Sequence, residues 1–68
     1  MSKLSETCKN LIDKLFDILD DDDFVLGVVT NAKNDENRQK IIDYIDNGDD
    51  VTVENIILLS LHLGNETE

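Results

Sequence analysis

One segment constrains the fold more than any other: Val51-Thr52-Val53-Glu54-Asn55-Ile56-Ile57-Leu58-Leu59-Ser60-Leu61-His62-Leu63-Gly64. It is the most apolar stretch of the chain, and its start and stop signals are those of a helix. Thr52 suits the N-cap, where its hydroxyl accepts from the amide of Asn55. Val51 and Ile56 then stand at N′ and N4, the two positions of a hydrophobic staple. Gly64 stands where a C′ residue in the left-handed region ends a helix. At about 100° per residue, Asn55 and His62 form the one clearly polar wedge, flanked by Leu58 and Leu59. A helix apolar nearly all round is normally buried. The segment therefore predicts a last helix, over about 53–63, at the centre of the fold or in an interface.

A chain of 68 residues has little else with which to bury it. At this size only about 60 % of the unfolded surface is removed from water. Small domains compensate with disulfides, a metal, oligomerisation or close helix packing. Cys8 is the only cysteine, so no disulfide forms within the chain. Cys8 and His62 are the only soft ligands, too few for a zinc site. Close helix packing, a dimer, or both remain.

The rest of the sequence supplies three more helices. Over 4–19, Leu4, Cys8, Leu11, Ile12, Leu15, Phe16, Ile18 and Leu19 fall within an arc of about 160°, with Glu6, Lys9, Asn10, Asp13, Lys14 and Asp17 opposite. Ser2 and Ser5 are alternative caps. Asp20-Asp21-Asp22-Asp23 follows. Carboxylates are unfavourable after a helix and favourable before one, so the run stops the first helix and caps the next at Asp22 or Asp23. The stretch 24–32 has the β-branched residues and central Gly27 of a strand. Its periodicity is helical, however, with Phe24, Val25, Val28, Val29 and Ala32 on one face, and no second strand is available to pair with it. A third helix over 35–46, capped by Asn34 or Asp35 and ended at Asn47-Gly48, turns Ile41, Ile42, Tyr44 and Ile45 inward, with Arg38 on the edge of that face. The fold class predicted is all-α: one compact bundle of four short helices (about 4–19, 24–32, 35–46 and 53–63), the last helix central, with 65–68 a frayed tail.

Charge narrows the partners. Sixteen acidic residues against six basic give a net charge of −10, which repels nucleic acid and anionic membranes and favours basic partners. The opening residues lack the apolar core of a signal peptide, and no apolar run approaches the ~20 residues of a membrane span. The expected location is cytoplasmic. The sequon Asn65-Glu66-Thr67 is then a chance match.

The chain lacks the residue patterns that chemistry requires. An EF-hand loop needs glycine at its sixth position and glutamate at its twelfth. Starting at Asp46, those positions hold Val51 and Ile57, and starts at Asp20, Asp21 or Asn34 fare no better. Cys8 lies within an apolar arc, without the electropositive surroundings that activate a thiol. His62 lacks a nucleophile or orienting partner. The carboxylate pairs Asp13 with Asp17 and Asp43 with Asp46 lack a cleft that would separate their pKa values. Gly27, Gly48 and Gly64 are too far apart for a phosphate loop. Neither enzyme, metal nor cofactor is expected.

What remains is the placement of charge. Residues 1–19 are neutral, whereas 20–50 hold ten acids against three bases. The acids gather at Asp20, Asp21, Asp22 and Asp23, at Asp35 and Glu36, and at Asp46, Asp49 and Asp50. If these converge, they make a docking face for a basic partner. The first expectation is thus a small, acidic, non-enzymatic protein–protein interaction module. The alternative is a self-associating structural protein that hides Leu58 and Leu59 in a homodimer.

Overall fold

The computed structural model describes residues 4–67, so the alternative cap at Ser2 lies outside the described residues. Four helices account for most of them: α1 (Glu6–Ile18), α2 (Asp22–Ala32), α3 (Asp35–Asn47) and α4 (Val53–Asn65). Each begins on a side chain that accepts backbone amides left free at a helix start. Ser5 accepts from Cys8 N, Asp21 from Asp23 N and Phe24 N, Asn34 from Asn37 N, and Thr52 from Asn55 N. The ambiguous stretch is helical, as its periodicity indicated. Its cap is Asp21, one residue earlier than expected, which brings both Asp22 and Asp23 into the positive first turn.

Polar ties fix the directions of the helices. Lys14 Nζ lies 2.7 Å from Asp46 Oδ1, and Ser5 and Asp35 line one cleft, so α1 and α3 run the same way. Asn37 bonds both Ala32 O and Leu63 O, so α2 and α4 finish beside the start of α3. Around the bundle the order is α1, α3, α4, α2, with α2 and α3 meeting across one diagonal and α1 and α4 barely touching across the other. The α1–α2 and α3–α4 connections therefore share one end of the molecule. The α2–α3 connection lies at the other.

The core is Leu11 and Leu15 of α1, Phe24, Val25, Val28 and Ala32 of α2, Ile41 and Ile42 of α3, and Ile56 of α4. This corrects the expectation that the last helix is central. α4 buries only a narrow line, Ile56, Ser60 and Gly64, at steps of four, while Leu58 is 56 % exposed and Leu61 41 %. Two of those three residues are small because the helix is held against α2 by close backbone approach rather than by large side chains. Ser60 satisfies its own hydroxyl by donating to Ile57 O at 2.7 Å. A Cβ at Gly64 would collide with the Asn31 carbonyl oxygen. Gly64 is thus not the expected helix stop: it is buried inside α4, has no positive φ, and is needed for contact. Asn65 completes α4, and Thr67 accepts a 2.7 Å bond from Asn37 and donates to Leu63 O. Glu68 lies outside the described residues.

The α2–α3 connection is only Lys33 and Asn34, and Lys33 takes φ 76° with ψ −32°. A left-handed φ on a residue with a Cβ costs about 1–2 kcal/mol. What holds it is Asn37 on the first turn of α3, whose buried amide bonds Ala32 O and Thr67 Oγ1 at 2.7 Å each and shares Leu63 O at 3.3 Å. Substitution at two glycines separates helix propensity from close contact. Gly27 has open space where its Cβ would be, so Gly27→Ala should stabilise by about 0.5–1 kcal/mol through helix propensity. Gly64→Ala should lose about 2 kcal/mol or more to overpacking; urea denaturation reads both. Replacing Asn37 with Leu, close in size but unable to donate, should cost about 2–3 kcal/mol by leaving buried carbonyls unpaired. A loss under about 0.5 kcal/mol on the same assay would show that volume, not the amide, matters there.

Candidate functional site

The topology sorts the three acidic clusters that the sequence singled out. Asp20, Asp21, Asp22 and Asp23 occupy the α1–α2 connection and the start of α2; Asp46, Asp49 and Asp50 occupy the end of α3 and the connection to α4. Those two places are at the same end of the bundle, and all seven side chains belong to exposed residues. Asp35 and Glu36, at the start of α3, are at the opposite end. Convergence therefore holds for two clusters and fails for the third.

The acidic end is electrostatically uncomfortable. α1 and α3 both finish there, so the negative ends of their dipoles point at it, and neither helix has a base in its last turn. Asp17 and Asp46 lie in those last turns instead. Lys14, reaching across from α1 to Asp46, supplies from a neighbour what α3 lacks. The starts of α2 and α4 offset part of the charge, since Asp21 caps one and Glu54 lies in the first turn of the other. Tyr44 and Asn55 fasten the second connection by donating to the Asp50 carbonyl, and Asn55 also bonds the Asp50 carboxylate at 3.1 Å. The second connection is thereby held as a short, fixed display of carboxylate. Among the described residues no three His, Cys, Asp or Glu side chains converge as metal ligands.

At the other end of the bundle Asp35 is integrated rather than displayed. Ser5 accepts from Cys8 N at the start of α1, and its hydroxyl stands beside the Asp35 carboxyl. Arg38, largely buried, gives Nη1 to Asp35 at 2.9 Å and Nε to the Val29 carbonyl at 3.1 Å. The Ser5 hydroxyl first, and Arg38 second, hold the Asp35 carboxyl below its ordinary range. These residues rim a cleft of about 420 Å³ where α1, the end of α2 and the start of α3 meet, with Leu4, Cys8, Val29 and Lys33 as its other walls. Cys8 is buried at its base, consistent with the packed thiol expected from its position.

The apolar surface is only partly where the sequence placed it. Leu58 is exposed, whereas Leu59 is half-buried against the core, and Leu61 takes its place on the outer face of α4. More apolar surface lies elsewhere: Leu4 is 56 % exposed, Phe16 36 % and Leu26 62 %. Sequence reasoning missed the cleft, Lys33 and these residues. Leu26 carried a signal, because it falls outside the apolar face shared by Phe24, Val25 and Val28. Phe16 and Leu4 carried none, since the arc that contains them is wider than the face α1 buries. No helix among the described residues is long and apolar enough to cross a membrane. No family model, curated protein or solved structure matches the chain.

The Asp35 arrangement predicts a pH effect of defined sign. A carboxyl whose folded pKa lies below its unfolded value stabilises the fold above that unfolded value, 3.8, and the gain is lost as pH falls through the folded pKa. Asp35→Asn should therefore be less stable than the parent near neutrality, and the gap should close below pH 3.8. Thermal denaturation of both proteins across pH 2–7 reads it. A gap constant over that range would remove the carboxylate from the account.

Proposed function

We propose that this protein is a small, non-enzymatic protein–protein interaction module whose acidic end docks a basic partner. The observation that carries the reading is the gathering of Asp20, Asp21, Asp22 and Asp23 with Asp46, Asp49 and Asp50 at one end, with Lys14 as the base that reaches them from α1. Like charges beside the ends of α1 and α3 raise the energy of the free protein. A cationic partner relieves that repulsion as it binds, so the same groups steer encounter and reward contact. Surface charge of this kind also serves solubility. Its fixed placement on short connections, rather than an even spread, favours docking.

Converting the four aspartates at 20–23 to asparagine should weaken a basic ligand. With a lysine- and arginine-rich 12-residue peptide as probe, calorimetry in low salt should show at least a tenfold loss for the variant. Affinity for the parent should fall steeply as the Debye length shrinks from about 30 to about 8 Å. Binding indifferent to both the substitutions and salt would defeat the proposal. Exposed Leu58 and Leu61 support a second reading, a homodimer through the outer face of α4. A monomer by sedimentation at high concentration would eliminate it.

A further inference from the structure

We propose that the groove between α1 and α2 receives one amphipathic helix of a partner protein, basic towards its N-terminal end. The inference rests on the docking reading above and gives the partner a shape. The cleft walled by Leu4, Cys8, Val29 and Lys33 is one end of this groove. Helical spacing carries it onward: Ile12 and Phe16 follow Cys8 at steps of four along α1, and Leu26 and Asp22 precede Val29 by three and seven along antiparallel α2. Ile12 and Val29 are half-buried against the core, while Leu4, Phe16 and Leu26 stand out to solvent on the rims. From Ser5 to Phe16 the groove runs about 16 Å, three turns of helix.

Shape and charge select the occupant. The groove is walled by helices, whose backbone groups are already paired, so an added strand finds no edge; side-chain ridges between two helices fit the apolar stripe of a third. The two ends of the groove differ in charge, with the aspartates at 20–23 at one and, at the other, Lys33 together with an Arg38 already paired to Asp35. A helix laid with its N-terminus and its Lys or Arg residues on the aspartates, and its C-terminus by Lys33, matches both its side chains and its dipole to those ends. A second copy of this chain does not meet the requirement. It brings another net charge of −10, and its one charge-neutral region, residues 1–19, already forms a wall of the groove.

The test uses the full chain and random 16-residue peptides displayed on phage, selected at low salt. Enriched peptides should share apolar residues at i, i+3 or i+4, and i+7, with Lys or Arg concentrated towards the N-terminus. Synthesised, they should bind Leu26→Ser at least tenfold more weakly than the parent and Leu58→Ser equally well. Leu26 is the most exposed of the large apolar side chains, so its replacement leaves the fold intact, as circular dichroism will verify. Moving the basic residues to the C-terminal end of the peptide should also cost affinity. Basic peptides that ignore Leu26→Ser but are lost when the aspartates at 20–23 become asparagine would overturn the groove and leave the acidic docking reading standing. Peptides indifferent to both changes, or dependent on Leu58, would overturn both. Failure to enrich any peptide would overturn the groove.

Discussion

The side-chain amide of Asn37 holds three of the four helices to one another. It is buried, it donates to the last carbonyl of α2, it reaches the carbonyl of Leu63 near the end of α4, and it meets the hydroxyl of Thr67 beyond it. Its own backbone amide is taken by the Asn34 cap. A buried polar group is tolerated only when its hydrogen-bonding capacity is used, and then it specifies geometry that apolar packing leaves loose. Here it permits a two-residue connection that passes through a left-handed Lys33. With that connection fixed, α2 and α3 lie across the diagonal of the bundle, and α1 and α4 take the remaining corners.

Connection lengths and caps then decide where charge goes. Negative residues are favoured at helix starts, and the chain places Asp21, Asp22 and Asp23 at the start of α2 and Asp35 and Glu36 at the start of α3. Because α2 starts where α1 ends and α4 starts where α3 ends, the capping acids share an end of the molecule with Asp46, Asp49 and Asp50. The molecule is acidic at that end and mixed at the other, where Lys33 and Arg38 offset Asp35 and Glu36. The polarity follows from topology acting on ordinary capping chemistry.

Most of the fold was legible in the sequence, for local reasons. Caps at Ser5, Asn34 and Thr52, the helical period of 24–32 and the stop at Asn47-Gly48 all depend on residues within a turn or two of each other. What was not legible depended on partners distant in the chain. The apolar circumference of α4 suggested a central helix, but composition does not say whether a neighbour exists for each face. α1 lies on the far diagonal, which leaves Leu58 and Leu61 in water. Gly64 read as a stop because glycine is common there; only the Asn31 carbonyl beside it, more than thirty residues away, shows that it serves contact. Asn37 read as a polar position on a polar helix. Of the candidate site residues, the seven aspartates at one end could be named from the sequence, but their separation from Asp35 and Glu36 required helix directions.

The backbone contact between Gly64 and α2 also bears on mechanics. Where two helices meet through main chain, no side chain can change rotamer to take up a displacement, and the approach of Gly64 to the Asn31 carbonyl is such a contact. The other wall of the groove is attached differently. α1 meets its neighbours through side chains, and its polar ties to α3, Lys14 with Asp46 and Ser5 with Asp35, depend on ionised carboxylates with partial access to water. Such ties exchange readily with solvent, and Asn37 takes no part in holding α1. The two walls of the groove are therefore held differently, α2 by main-chain contact with α4 and α1 by side chains alone.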